Sequence, residues 1–271
     1  MPQNLHILIQ DEITRGTEIA PIMADLGGRF SRIDLSNWRQ QVHELDAEIS
    51  SSGERVMVFC SLPIAGFIER SCPALARGVL LPRKFLEHFT YSTLLPRDLQ
   101  LNPTGLYLPW GRIPVMAQEL AQLYPQGLFI RPSSPMKPFT GFSLEHHELH
   151  DEHHMMTHAA RIDPSELCLV APRLDLSEVE HRVWMVDALP ISAASYGWTD
   201  GAQGNETPDR VLDAAVHLGQ VLEMNEQIYT ADFVETDRGV KVVELNAMST
   251  SGWYPGLDAK MLLQALDPML V

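Results

Sequence analysis

Short strand-like segments alternate with helix-like segments over the first eighty residues of the chain. The strand-like segments are LHILIQ (5–10), FSRIDL (30–35), RVMVFC (55–60) and GVLLP (78–82). The helix-like segments are TEIAPIMADL (17–26) and PIAGFIER (63–70). Alternation of this kind favours an α/β layer architecture, in which helices cover a sheet. No GxGxxG segment follows the first strand, so the sequence does not indicate a dinucleotide-binding fold.

The rest of the chain mixes helices and strands without strict alternation. Prolines interrupt the periodicity near residues 92–110, and a boundary there predicts an N-terminal α/β domain at 1–104 and a second domain at 105–271. Helices are predicted at 116–124, 145–160 and 208–224. Strands are predicted at 127–132, 167–171, 181–187, 190–196, 227–235 and 240–246, the last two joined as a hairpin by the turn sequence TDRG.

Composition narrows the classes of partner. A hydrophobic fraction of 45% is ordinary for a globular chain, and the net charge of −15 argues against nucleic acid or an anionic membrane as a partner. The three cysteines form no CxxC pair, which favours a reducing compartment. The N-terminal MPQNLHILIQDE lacks the features of a signal peptide, and no apolar run is long enough to span a membrane. We therefore expect a cytoplasmic protein, with a homodimer as the default assembly.

Two carboxylates and an amide fall on the predicted hairpin. Asp232 lies on its first strand, and Glu244 and Asn246 end its second strand at positions i and i+2, which share a face. Oxygen ligands of this kind suit Mg²⁺, which keeps water and phosphate oxygens as its other ligands. The alternative is that the two carboxylates are merely solvated at a sheet edge. The polar pair at the end of an otherwise apolar strand favours the metal site.

A second candidate region combines cations with hydroxyl groups. The strand GLFIRP delivers Arg131, and the loop after it presents Lys137, Thr140 and Gly141, a combination that can cradle phosphate although the spacing is not that of a P-loop. A plain surface loop is the alternative. Farther along, Glu180 and Arg182 share one face of a strand, where they form either part of a site or a simple salt bridge.

The order of these features resembles the ATP-grasp superfamily. An Arg/Lys loop with the pattern RPxxxxKxFTG, a strand with E-x-R, and a D…ExN hairpin followed by SGWY occur here in that sequence. More narrowly, the chain resembles the ATP-grasp clade in which an arginine replaces the first nucleotide-binding lysine. The resemblance covers about residues 105–265. It implies an ATP-grasp fold of two subdomains with the nucleotide between them, preceded by an α/β domain.

The resemblance also implies roles for the phosphate loop. Arg131 takes the place of the first lysine and would contact the α- and β-phosphates of ATP. Lys137, with Thr140 and Gly141 beside it, would lie in the loop that closes over the phosphates. We expect Arg131 and Lys137 to act in catalysis through their charges.

Nucleotide recognition is implied for two further segments. Residues 169–174, which include Val170 and Arg173, resemble the segment whose backbone recognises adenine. Glu180 matches the acidic residue that hydrogen-bonds the ribose. Arg182, on the same face, would lie near the transferred phosphate or the acceptor carboxylate. It can there supply a charge that several related ligases carry at the position of Thr230.

The remaining implied roles concern Mg²⁺ and the substrate. Asp232, Glu244 and Asn246 match the Mg²⁺ ligands of the superfamily, and Ser251 and Gly252 resemble the turn that receives substrate. The chain is therefore expected to be an ADP-forming carboxylate–amine ligase that works through an acylphosphate on a small molecule or peptide. The alternatives are an ATP-dependent phosphotransferase without ligation and a nucleotide-binding module without catalysis.

Two further features allow different interpretations. His146, His150 and His154 lie at helical spacing in HHELHDEHHMMTH (146–158), which fits either a solvated helix face, the favoured interpretation, or a transition-metal site. Trp253 and Tyr254 follow the Ser-Gly turn, so we expect them to wall the substrate pocket rather than to pack in the core.

Overall fold

The computed structural model describes residues 5–15, 17–197, 206–222 and 228–270. Within these ranges the strands are β1 (Leu5–Ile9), β2 (Arg29–Arg32), β3 (Arg55–Phe59), β4 (Leu106–Pro109), β5 (Leu128–Pro132), β6 (Phe142–Leu144), β7 (Leu167–Pro172), β8 (Val179–Val186), β9 (Leu189–Gly197), β10 (Ile228–Thr236) and β11 (Gly239–Asn246). The helices are α1 (Asp11–Thr14), α2 (Ile19–Leu26), α3 (Trp38–Ser52), α4 (Leu62–Ser71), α5 (Pro73–Ala76), α6 (His88–Ser92), α7 (Ala117–Leu123), α8 (Leu149–Ala159), α9 (Asp209–Leu222) and α10 (Ala259–Leu266).

A parallel sheet of order β2-β1-β3 forms the N-terminal part, as the alternating sequence predicts. Every residue of the central strand β1 is buried, which is why LHILI reads as a continuous apolar run rather than as an alternating one. Helix α3 was not predicted, although Val42, Leu45 and Ile49 recur at helical spacing and are buried. The helix ends at Gly53, whose φ of 67° requires the left-handed conformation that glycine adopts without strain.

The predicted strand at 78–82 is wrong. Val58 does donate its backbone N–H to Gly78 O (3.0 Å), but the N–H of Leu80 is bound by the side-chain oxygen of Ser249 (2.7 Å) instead of by a strand. A side-chain acceptor ends the ladder after one bond. The segment therefore runs beside β3 without joining the sheet.

A second sheet has the order β11-β10-β8-β9. Strand β8 is antiparallel to both of its neighbours, and its register places Arg182 directly opposite Asp232 of β10. Strands β10 and β11 meet at the turn Asp237–Arg238, so the hairpin predicted from TDRG is confirmed. Residue 227 of the predicted first strand and residues 223–224 of the predicted helix 208–224 lie outside the described residues.

The third sheet has the order β4-β7-β5-β6, with antiparallel pairing throughout. Its apolar face packs on a core that includes Trp110, Leu128, Ile130 and Val170, against which α7 and α8 bury Leu120 and Leu149. The chain thus combines a parallel α/β layer with two largely antiparallel sheets, and the mixed α/β (α+β) class predicted from the sequence is confirmed.

The backbone divides into two compact units, each described here by itself. One comprises residues 1–82, 178–234 and 244–271, and the other comprises 83–177 and 235–243. A compact unit need not follow one stretch of sequence, so the domain division at residue 104 stays a prediction. In the described part of the chain, every helix is too short or too polar to cross a membrane.

Candidate active site

Asp232, Glu244 and Asn246 converge on one face of the second sheet. The amide nitrogen of Asn246 donates to Asp232 Oδ2 and to Glu244 Oε1, both at 2.9 Å. The hairpin explains the convergence, because β10 and β11 are neighbours and because residues i and i+2 of a strand share a face. The structure therefore brings together the three side chains that the sequence predicts as Mg²⁺ ligands.

Arg182 forms a two-pronged ion pair with Asp232. Its Nε donates to Asp232 Oδ1 and its Nη2 to Oδ2, each at 2.7 Å, and its Nη1 donates to Gly252 O at 3.3 Å. Both side chains are buried, Asp232 to 1% exposure. Although burial acts to lower it, the Asp232 carboxylate holds the pKa of Arg182 above its ordinary value. The guanidinium is therefore a fixed positive charge beside the carboxylates.

Glu180 is also buried, and it lies on the same face of β8 as Arg182. Tyr196 of β9 donates its hydroxyl to Glu180 Oε2 (2.5 Å). Burial, with the negative charges of Asp232 and Glu244, raises the pKa of Glu180 to about 7, although the Tyr196 hydrogen bond and Arg182 oppose the rise. Glu180 thus exchanges its proton near neutral pH when nothing else is bound.

This raised pKa predicts a pH dependence of stability. The pKa of Glu180 is about 7 in the folded chain against an ordinary 4.5, so the folded state binds more protons than the unfolded state between these values. The free energy of unfolding therefore falls as the pH rises through this window, and Glu180→Gln removes that contribution. Between pH 5 and pH 7.5, we expect the free energy of unfolding of the variant to rise by about 2 kcal/mol relative to that of the wild type. Urea unfolding of both proteins at both pH values, without metal or nucleotide, measures the difference in free energy of unfolding between variant and wild type. If that difference is the same at pH 5 and at pH 7.5, the pKa of Glu180 is not raised.

Two tyrosines and a second arginine complete this face. The rings of Tyr196 and Tyr254 stack with centroids 4.0 Å apart and planes within 1° of parallel. Arg15 places its Cζ 4.2 Å from the Tyr254 centroid, and a Cβ on Gly252 would lie 3.3 Å from Arg15 Nε. Sequence reasoning missed Tyr196 and Arg15. Tyr196 pairs directly with Glu180 across β8 and β9, a signal that strand register supplies, whereas no local pattern marks Arg15.

The segment from Ser251 to Tyr254 places some side chains in the core and others toward Arg182. Ser251 is buried, and its hydroxyl donates to Ala247 O (2.7 Å) and pairs with the Thr230 hydroxyl (2.8 Å). Trp253 is also buried, with its ring 5.1 Å from that of Phe59 and its backbone N–H donating to Ile13 O. The expectation that Trp253 walls a pocket is therefore wrong, because its ring fills the core. Tyr254, half-buried, faces the Arg182 side.

Arg131 and Gly141 come together in the other unit. Arg131 Nη1 donates to Val243 O at 3.0 Å. A Cβ added to Gly141 would lie 2.9 Å from the Phe129 ring and 3.1 Å from Arg131 Cβ, so only glycine lets the loop approach the strand this closely. The loop of the RPxxxxKxFTG pattern thus packs back onto the strand that delivers its arginine.

The rest of that loop is more open. Thr140 is exposed, and Lys137 adopts a left-handed φ of 45° while its N–H donates to Ser134 O (3.1 Å). A non-glycine residue in this conformation carries a modest strain that surrounding contacts must offset.

Val170 and Arg173 lie at the middle and just past the end of β7. Val170 is buried between Leu106 of β4 and Ile130 of β5, so its backbone serves the sheet. Arg173 forms an exposed ion pair with Glu145 (2.7 Å). Such a pair contributes little to stability. The adenine-recognition role of this segment stays a prediction.

Of the three histidines predicted at helical spacing, His150 and His154 lie on α8, and His146 lies in the short turn before it. His146 Nε2 contacts Tyr124 O at 2.8 Å, while His154 and His158 stack edge to face with ring centroids 4.4 Å apart. Across the residues that the structure describes, no three His, Cys, Asp or Glu side chains form a group that could hold a metal ion. The cluster of Asp232, Glu244 and Asn246 is not such a group, because its third member is an amide.

Comparisons with known proteins agree with this arrangement. The family model described as an ATP-grasp domain, the third family of its clade, matches residues 100–266. No curated protein sequence matches.

Solved structures resemble the chain over nearly its whole length. A D-cycloserine synthetase, DcsG, has a TM-score of 0.58 at 14% identity, covering 98% of this chain and 99% of its own. The ATP-grasp ligase PsnB complexed with a minimal precursor has a TM-score of 0.54 at 13% sequence identity, and the match covers all of both chains. A D-alanine–D-alanine ligase from Bacillus anthracis complexed with ATP has a TM-score of 0.54 at 14% sequence identity. The match covers 98% of this chain and 90% of the ligase chain. The ATP-grasp fold predicted from the sequence is confirmed.

Proposed function

The chain belongs to this ATP-grasp domain family, and from this premise we propose that it is an ATP- and Mg²⁺-dependent carboxylate–amine ligase that releases ADP. The observation that carries the proposal is the cluster of buried Asp232 and Asn246 with half-buried Glu244, to which Arg182 is bound. Burying carboxylates is costly unless a cation or hydrogen bonds offset it. A fold-supporting core does not need such a cluster, whereas a phosphoryl-transfer site does.

The residues of the cluster fit Mg²⁺. Two carboxylate oxygens already point at one amide N–H₂ group, so a positive centre is favourable at that spot. Asn246 offers an amide oxygen as well, and hard oxygen donors are what Mg²⁺ prefers. Asp232, Glu244 and Asn246 would hold the ion, which when bound neutralises charge on the phosphates of ATP.

Cations from the loop region supply the phosphate contacts in this proposal. Arg131 contacts the α- and β-phosphates, in place of the lysine found elsewhere in the superfamily, and Lys137 covers the terminal phosphates. Thr140 and Gly141 add hydroxyl and backbone donors. The geometry that supports this role is the close packing of Gly141 on Arg131.

The nucleoside end is assigned to the segment that links β7 and β8. The backbone that continues from Val170 past the end of β7 to Arg173 contacts adenine, and Glu180 accepts a hydrogen bond from a ribose hydroxyl. A polar hydroxyl beside Glu180 stabilises its ionised form, so nucleotide binding lowers the raised pKa of this group.

The reaction transfers the γ-phosphate of ATP to a substrate carboxylate. The carboxylate oxygen forms a bond to the γ-phosphorus as the bond to ADP breaks, and the amine nitrogen then attacks the acyl carbon and displaces inorganic phosphate. Arg182 holds positive charge beside the transferred group, and Ser251 and Gly252 form the turn that receives substrate. The protein contributes positioning and charge stabilisation.

A screen for ADP release tests the proposal. Purified protein is incubated with Mg-ATP and with amino acids, short peptides and simple carboxylic acids, alone and in pairs. Peptides belong in the screen because a structural neighbour, PsnB, was solved in complex with a precursor peptide. We expect ADP and phosphate only when a carboxylate and an amine are both present. Phosphorylated product without an amine requirement indicates the phosphotransferase, and the absence of Mg-ATP binding by calorimetry indicates a non-catalytic module.

A further inference from the structure

Arg15 is an exposed guanidinium fixed beside the Gly252 turn. It follows α1 at a left-handed φ of 47°, and its Cζ lies 4.2 Å from the Tyr254 ring centroid. Tyr196 stacks on the same Tyr254 ring, with the two ring centroids 4.0 Å apart. The guanidinium plane is thereby held against an aromatic surface, which costs less ordering on binding than a mobile side chain.

The donors of Arg15 are not used by the described part of the chain. Among the residues that the structure describes, its guanidinium forms neither an ion pair nor a hydrogen bond. Arg182 provides the contrast, because its Nε, Nη1 and Nη2 donate to Asp232 and Gly252. Of two guanidinium groups near the same Tyr254 ring, one is committed to a carboxylate of the protein and the other retains its donors.

We propose that Arg15, stacked on Tyr254, binds the carboxylate of the amine substrate, and that this substrate is an α-amino acid. The inference rests on the proposed ligase function and adds its acceptor class. A planar guanidinium with free donors matches a carboxylate through two parallel hydrogen bonds. The substrate carboxylate that receives phosphate becomes the new amide and loses its charge. Arg15 lies outside the proposed phosphate-binding residues, so we assign it to a second carboxylate, that of the amine substrate, which stays charged in the product.

The position of Arg15 beside Gly252 favours an amine substrate that carries a carboxylate. The turn at Ser251 and Gly252 is the proposed substrate turn, and the Gly252 carbonyl is already occupied by Arg182. An amino acid anchored by its carboxylate at Arg15 presents its amine from the Gly252 side. An amine that lacks a carboxylate loses this anchor, and its orientation with it.

The test compares an amino acid with its own amide as acceptor. With the best amino acid from a panel of L- and D-amino acids, we expect Arg15→Met to raise KM about 10- to 100-fold, the usual effect of removing a charged hydrogen-bonded pair, with kcat nearly unchanged. The corresponding amino acid amide, which has no carboxylate, is expected to react weakly and equally with both proteins. Methionine retains an unbranched side chain over the Tyr254 ring, and Arg15→Lys should recover part of the loss.

Arg39→Met is the matched control. Arg39 also lies over an aromatic ring, with its Cζ 5.0 Å from the Trp38 centroid, but it belongs to α3 and not to the proposed site. This control should leave KM unchanged. Equal losses for acid and amide, or no loss in Arg15→Met, overturn the assignment of Arg15. If amines without a carboxylate release ADP and amino acids do not, the ligase proposal stands and the Arg15 proposal is wrong. If neither class releases ADP, the ligase proposal fails and Arg15 falls with it.

Discussion

Glu244→Gln is expected to lower the proposed Mg²⁺- and ATP-dependent turnover by about 10²–10³ while the protein stays folded. The substitution retains the size of the side chain and an oxygen that can accept from Asn246, but it removes the negative charge from the proposed Mg²⁺ ligand. Loss of one well-placed electrostatic contact in a phosphoryl-transfer site has this magnitude. ADP release under saturating ATP, with far-UV circular dichroism of the same sample, measures both halves of the prediction.

Asn246→Ala is expected to behave like Glu244→Gln, because both groups belong to the same cluster. The matched control is Glu48→Gln, since Glu48 is a half-exposed carboxylate on α3 that pairs with Arg29. Turnover in the control should equal that of the wild type. A folded Glu244→Gln protein with wild-type turnover would remove Glu244 from the site and leave the ligase proposal without its carrying observation.

Arg182→Met is expected to lower the free energy of unfolding by about 3–5 kcal/mol. Removing the guanidinium leaves Asp232 as a nearly uncompensated carboxylate at 1% exposure, to which, among the residues that the structure describes, Asn246 alone still donates. Breaking one partner of a buried pair costs far more than the pair itself contributes. A typical domain is stable by only about 5–15 kcal/mol, so the variant should unfold at a much lower urea concentration. The measurement is made in EDTA, so that no metal replaces the lost charge.

A second substitution separates the buried charge from lost packing. In the Arg182→Met background, Asp232→Asn removes the orphaned charge and should restore much of the stability, a non-additive result typical of coupled residues. Arg32→Met is the control, because Arg32 pairs with Asp11 at 2.6 Å but both side chains are more than half exposed. Its cost should stay below about 1 kcal/mol. Equal costs in Arg182→Met and Arg32→Met contradict the prediction.

The elements that the sequence predicts best are those with local signals. Strands β1 and β3 are runs of buried apolar residues, and the β10–β11 hairpin follows from TDRG. Helix α10 was not predicted, although Asp258 caps it through a hydrogen bond to Met261 N (2.9 Å). The strand predicted at 78–82 failed because a side chain of distant Ser249 takes the backbone donor. No periodicity contains that information.

The candidate site divides in the same way. Asp232, Glu244 and Asn246 could be grouped from sequence because a hairpin fixes their neighbours and strand alternation fixes their face. The pairing of Arg182 with Asp232 required the register of β8 on β10, two strands that are far apart in the chain. Arg15 and Tyr254 are still farther apart in the chain, and only the folded core brings them into contact.

The makeup of the first core has a consequence for how the chain is made. Helix α10 contributes Leu262, Leu263 and Leu266 to the same core as Leu5 and Ile7 of β1. During synthesis, β1 emerges roughly 250 residues before the helix that covers it, so this core stays unfinished until α10 has left the ribosome. A fragment ending near residue 104 would expose the apolar surface that α10 covers. Expression of the N-terminal part alone should therefore yield aggregated protein, and attempts to dissect the chain must carry residues 244–271 along with it.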